Sequence, residues 1–210
     1  MASSIMVKRI IIIGATSGIG YEVAKIYWKR GYQLGLAGRR VDRLEEFRRQ
    51  DPEHIRIKQL DVTAEDAADR LEELIRDLGG MDIFLLSSGI GNQNKYLDTS
   101  IEQVTIQTNV TGFTRMVLAA YRYFSSQGGR AYICNQLYCR NQRIRCRSLL
   151  LGYQTIPKYL YRRFSPTFPY GETAYYIYGY PSGICPYGFI ERRQELSYAD
   201  VSPIRRLAYR

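Results

Sequence analysis

Histidine is almost missing from this 210-residue chain: His54 stands alone, which excludes multi-histidine metal sites and leaves little for a Ser-His-Asp apparatus. Long apolar runs are missing too. The longest aliphatic stretch, Ile10 to Ile13, falls far short of the roughly 20 residues that a membrane-spanning helix needs. Met1 to Val7 carries no cationic region, and Lys8-Arg9 precedes a run too short for a signal peptide, so no secretory signal is visible. The expected compartment is the cytoplasm, with no membrane partner. Hydrophobic residues at 45% exclude wholesale disorder, and the length suits one globular domain.

Two further absences are local. Residues 1–130 contain no cysteine and a single proline, with 18 basic against 16 acidic residues. Residues 131–210 hold all four cysteines, six of the seven prolines, 13 of the 19 tyrosines, and 12 basic against 4 acidic residues. Most of the formal net charge of +10 therefore belongs to this tail. Cys134, Cys139, Cys146 and Cys185 include no Cys-x-x-Cys pair, so neither a designed metal site nor a disulfide framework is read from them. Interleaved Arg and Tyr could grip nucleic acid through phosphate contacts and base stacking, but the tail carries no known module's signature. Accidental composition is the preferred reading.

The first 130 residues alternate between strand and helix patterns. Val7 to Ile13 is a short aliphatic strand, and Ile19, Val23, Ile26 and Tyr27 recur at helical spacing from Gly18 to Arg30. Gly31 stops that helix, Gln33 to Ala37 forms a second strand, and Val41, Leu44 and Phe47 mark one face of the next helix. A third strand spans Ile55 to Leu60. Thr63 to Asp66 resembles a capping box, after which Ala64, Ala67, Ala68, Leu71, Leu74, Ile75 and Leu78 trace one stripe as far as Gly79-Gly80. Asp82 to Leu86 is a fourth strand, and Val104, Val110, Phe113, Val117, Ala120 and Phe124 predict one long, largely buried helix over 102–126. Strict alternation of this kind predicts an α/β fold: a Rossmann-type, doubly wound parallel sheet between two helical layers.

Chemistry enters at the first strand-to-helix turn, Gly14-Ala15-Thr16-Ser17-Gly18-Ile19-Gly20. Glycines there permit a tight turn and close approach of phosphate to backbone, the helix N-terminus favours an anion, and Thr16 and Ser17 add hydroxyl donors. An ordinary glycine-rich turn is the bland alternative, which the strand and helix context outweighs.

Gly-x-x-x-Gly-x-Gly, Asp61-Val62 after the third strand, Ser87-Ser88-Gly89 after the fourth, and Asn109 in Asn-Val-Thr-Gly together resemble the short-chain dehydrogenase/reductase family, over residues 7 to about 130. The resemblance implies an NAD(P)-dependent oxidoreductase acting on a small carbonyl or alcohol substrate. It puts Asp61 and Val62 beside the adenine, and the segment after the fourth strand against the cofactor. That segment is usually Asn-Ala-Gly, so Ser87 and Ser88 depart from the pattern. Asn109 matches the family's catalytic asparagine, which positions a water in a proton relay; a satisfied asparagine buried in a helix is the other reading. Family members often form homo-oligomers through the helix corresponding to residues 102–126, with a partner helix that would lie in the tail.

NAD enzymes usually place Asp or Glu after the second strand, where it accepts from the ribose 2′-OH. This chain has Gly38-Arg39-Arg40, and guanidinium groups suit a 2′-phosphate, so NADP(H) is expected over NAD. A solvated arginine at a helix start is the alternative.

The family's catalytic Ser and Tyr-x-x-x-Lys are missing from the tail. Tyr153 is followed at the fourth position by Pro157, and the tail's one lysine, Lys158, has Gln154 four residues before it. A frame error explains this. Reading bases two and three of each codon with base one of the next, residues 131–155 permit HISAISSIAGTKGLGAAPSYSATKR, and residues 174–185 permit RITFTDIRPGFV. The Ser-Ser codons then begin within Gln136 and Leu137, the Tyr codon within Leu150, the Lys codon within Gln154, and a Pro-Gly pair within Ser182 and Gly183. Order and spacing are those of the family. We therefore divide the chain into a dinucleotide-binding domain, 1–130, and an out-of-frame tail, 131–210, standing where the catalytic and substrate-binding part belongs. A catalytically dead nucleotide-binding protein is the competing functional reading.

Overall fold

A computed structural model describes residues 8–127 except 92, 93, 95 and 97, together with the backbone of 133–135. The tail from 136 onward, with the frame reading and Cys139, Cys146 and Cys185, lies outside the described residues, as does Met1 to Val7. In chain order the elements are β1 (Arg9–Ile13), α1 (Gly18–Trp28), β2 (Gln33–Gly38), α2 (Val41–Arg48), β3 (Ile55–Gln59), α3 (Ala67–Asp77), β4 (Ile83–Leu86), α4 (Thr99–Ile106), a π-helical segment (Gln107–Gly112), α5 (Phe113–Ser126) and β5 (Ile133–Asn135). All strand pairs are parallel, in the order β3-β2-β1-β4-β5.

A central parallel strand must be apolar on both faces, and the four isoleucines of β1 meet that need by alternation. Ile10 and Ile12 pack with Val23, Tyr27, Leu44 and Phe47 under α1 and α2, while Ile11 and Ile13 pack with Leu71, Leu74, Phe113 and Val117 under α3 and α5. At the outer edge, β3 carries Arg56 and Lys58, and Lys58 pairs with Glu73 of α3 at 2.6 Å, charges that discourage pairing with another strand.

Three expectations change. The capping box does not form: α3 begins at Ala67, and the Thr63 backbone N–H and hydroxyl both donate to Asp61 Oδ1, at 2.9 and 2.8 Å. Asp66 instead accepts from Arg70, at 2.6 Å. The helix expected over 102–126 starts earlier, at Thr99, because Asp98 caps it by accepting from Ser100 N at 2.8 Å. It is then broken by the π-helical segment, whose wider turn shifts the register, so that Val104 is 56% exposed instead of buried. Val41, at the first position of α2, is 36% exposed, whereas Leu44 and Phe47 are buried. The sheet also includes β5, paired with β4.

Candidate functional site

The strand order reverses direction between β1 and β4, so the crevice at their carboxyl ends is where an open α/β sheet accepts a ligand. The turns after β1 and β4 and the end of β2 are bonded to one another there. Gly14 N and Ala15 N donate to Ala37 O at 2.8 and 3.1 Å, and Ser87 N donates to Ile13 O at 2.7 Å. Gly14 has φ +88°, and a Cβ on it would lie 2.7 Å from Ser88 N and 2.8 Å from the Ser87 carbonyl carbon. A Cβ on Gly20 would strike the Gly14 carbonyl oxygen. Only glycine fits at either position.

Gly18 opens α1, and a Cβ there would meet open space. The first N–H groups of a helix have no intrahelical acceptor, and the Ser17 side chain does not cap this one. The end of α1 can therefore receive an anion through backbone N–H groups and its dipole. Ile19, half-buried, packs against the α1–α2 core.

Arg40 stands at the start of α2 and folds back over this turn. Its Nη2 donates to Thr16 Oγ1 at 2.9 Å and to Ser17 Oγ at 2.7 Å, and its Nε donates to Thr16 Oγ1 at 3.3 Å. Gly38 makes room for this arrangement, since a Cβ there would come within 2.7 Å of Thr16 Cγ2. Arg39 is exposed beside it, and its charge is felt at Asp61. Burial works against ionisation of Asp61, but the two Thr63 hydrogen bonds and the Arg39 charge outweigh it and hold the carboxyl below its ordinary value. Both Thr63 bonds fall on Oδ1.

Across the crevice, Ser87, Ser88 and Gly89 follow β4, with Ser87 and Ser88 half-buried and Gly89 exposed. Asn109 sits in the π-helical segment, 1% exposed, with both amide atoms engaged: Oδ1 accepts from Ile90 N at 2.9 Å and Nδ2 donates to Ile90 O at 2.6 Å. Its side chain thus ties the loop after β4 to the helix.

One further contact has no signal in sequence order, and one further spacing does. Arg115, in α5, donates from Nη1 to the carbonyl oxygens of Val62 and Ala64, at 3.0 and 2.8 Å, a contact spanning about fifty residues that no local pattern announces. Tyr21-Glu22-Val23-Ala24-Lys25 has the Tyr-x-x-x-Lys spacing within α1. Its Lys25 lies over the Tyr21 ring at 4.9 Å and pairs with Glu22, while the ring packs edge-on to Phe47 on the α1–α2 face. Asn109 belongs to the helix packed on the opposite face of the sheet, so the two do not form one site.

The short chain dehydrogenase family model matches residues 8–135. An uncharacterized oxidoreductase of Staphylococcus haemolyticus is 34% identical over 122 residues, which cover 56% of this chain and 53% of that protein. The chain spans about half the length of the curated relatives it matches. An alcohol dehydrogenase from the archaeon Thermococcus sibiricus, solved with 5-hydroxy-NADP, superposes with a TM-score of 0.66 at 22% identity, covering 80% of this chain and 74% of its own. A 3-ketoacyl-(acyl-carrier-protein) reductase from Brucella melitensis, solved with NADH, gives 0.57 at 23% identity, covering 63% and 57%. These two share the fold. With a doubly wound sheet, a glycine turn at its switch point and a family match over more than half its length, the chain belongs to the short chain dehydrogenase family.

Proposed function

We propose that the described part of this chain binds NADP(H) for hydride exchange with a small carbonyl or alcohol substrate, and that this chain holds the cofactor without completing the reaction. The observation that carries the cofactor choice is the Arg40 guanidinium, bonded to Thr16 and Ser17 at the end of β2, where Gly38 offers no carboxylate to a ribose 2′-OH. Two guanidinium groups, Arg39 and Arg40, can take a 2′-phosphate in charge-assisted hydrogen bonds.

The residues present fit the group. Gly14 and Gly20 let the turn pack closely on its own backbone and on the loop after β4, and Gly18 leaves open space for a pyrophosphate at the start of α1. On this reading Thr16, Ser17 and Ile19 line the same turn, Asp61 and Val62 take the adenosine side, and Ser87, Ser88 and Gly89 take the crevice's other wall. When bound, the nicotinamide gives or accepts a hydride. Asn109 contributes by holding the Ile90 backbone that closes this wall.

Completion needs a proton donor for the developing alkoxide. A tyrosine beside an ammonium would supply one, and residues 131–210 contain no Tyr-x-x-x-Lys, in keeping with a frame lost near Arg130. Titration of the full chain with NADPH and NADH, followed by protein fluorescence, tests the cofactor reading: NADPH should bind more tightly. Tighter NADH binding would overturn it.

A further inference from the structure

The loop after β3 starts at Leu60, whose N–H still donates to Gly38 O at 3.0 Å, and from Asp61 to Ala64 it turns on an Ala64 N–H bond to Asp61 O at 3.1 Å, with side chains adding further ties. Thr63 and Asp61 fold it locally. Arg115 pins it from outside, donating through Nη1 to Val62 O at 3.0 Å and Ala64 O at 2.8 Å. Both hydrogen bonds of this half-buried guanidinium go to main-chain carbonyls and neither to a carboxylate. The peptide plane between Val62 and Thr63 is consequently held at both ends: its C=O by Arg115, its N–H by the Asp61 carboxylate. Beneath it, a Cβ on Gly112 would lie 2.7 Å from Val62 Cγ2 and 2.9 Å from Val62 O, so helix backbone and loop touch directly. The same stretch of helix, from Asn109 to Arg115, also grips Ile90 after β4.

We propose that Arg115 is a positioning residue for the adenosine half of the dinucleotide. By fixing the Val62–Thr63 peptide it fixes the Asp61 carboxylate bonded to that peptide, and so holds the carboxylate in one orientation for the ligand. Without the guanidinium the plane can rotate, the carboxylate turns with it, and binding must then supply the ordering of the loop. This rests on the reading of Asp61 and Val62 as cofactor-binding residues.

The test uses the full chain with Arg115→Met, which keeps the aliphatic stem but no donor, and Arg115→Lys, which restores a cationic donor. The probes are 2′,5′-ADP for the adenosine half and reduced nicotinamide mononucleotide for the other half, with hydrogen exchange over residues 61–66 measured without ligand. Arg115→Met should weaken 2′,5′-ADP roughly tenfold, leave the mononucleotide unaffected and speed exchange in the loop, with Arg115→Lys recovering both losses. Unchanged 2′,5′-ADP affinity in Arg115→Met, or equal weakening of both probes with no recovery in Arg115→Lys, overturns the proposal while leaving the cofactor reading in place. Failure of the unaltered chain to bind 2′,5′-ADP overturns the cofactor reading, and this proposal with it.

Discussion

Replacing Asn109 by alanine removes one donor and one acceptor from a position that is 1% exposed and leaves the N–H and C=O of Ile90 without their partner. Each neutral hydrogen bond of this kind contributes about 1 kcal/mol net, and the orphaned groups would cost more if water could not reach them. Ile90 is half-buried, so water recovers part of that penalty. The expected destabilisation is about 2 kcal/mol, the sum for two such bonds. At about 4 °C per kcal/mol for a cooperative unit of this size, the melting midpoint should fall by roughly 8 °C. Differential scanning calorimetry measures the midpoint, and amide exchange at Ile90 reports the specific contact. Asn94 provides a matched control: it is 4% exposed, donates to Asp98 O and Glu102 Oε1 at 2.8 and 3.0 Å, and accepts from Asp98 N at 2.8 Å. Asn94→Ala should also lower the midpoint but leave Ile90 exchange unaltered, because its bonds lie at the start of α4. An unchanged midpoint and unchanged Ile90 exchange in Asn109→Ala would refute the claim that this side chain holds the crevice wall.

Changing Arg39 and Arg40 together to alanine should narrow the preference for NADP over NAD by roughly 1–3 kcal/mol, read from paired titrations, and an unaltered ratio would show that other groups select the cofactor. Gly20→Ala should prevent soluble expression or native-like circular dichroism, since its Cβ strikes backbone, whereas Gly18→Ala, with open space and φ +57°, should cost only about 1 kcal/mol in chemical denaturation. Asp61, whose carboxyl is held below its ordinary value, contributes stability that is present above the unfolded carboxylate pKa and is lost as pH falls through the lower folded value. Asp61→Asn should accordingly flatten the acid limb of stability against pH, and an identical acid limb would contradict the Thr63 and Arg39 interactions. Restoring the reading frame near the codon for Arg130 should produce NADPH oxidation with a panel of ketones and aldehydes that the present chain lacks by a factor of roughly 10²–10⁴ or more, and comparable turnover by both chains would sink the frame account.

Much of the fold was legible because its signals are local. Four consecutive isoleucines ending at Gly14 can be satisfied only between two apolar layers, and apolar positions at helical spacing after Gly18 and before Gly79 specify α1 and α3 almost to their ends. The glycine turn after β1 was legible for the same reason, since its glycines, hydroxyls and helix start are contiguous. The failures occur where one side chain had two possible partners. Thr63 could have capped α3 or bonded Asp61, and the spatial nearness of Asp61 Oδ1 decided it; Asn109 could have continued a helix, and its bonds to Ile90 accompany the π-turn that breaks the register and exposes Val104.

Sequence alone thus determined the order and kind of the elements from β1 to β4 and the glycine turn between β1 and α1, because periodicity and turn chemistry act over a few residues. Tertiary structure decided what meets at the crevice: Arg40 over Thr16 and Ser17, Arg115 on the Val62 and Ala64 carbonyls, Asn109 on Ile90. Those contacts join residues 19 to 53 positions apart, and their geometry exists only once parallel strands and crossovers have brought the loops to one edge of the sheet.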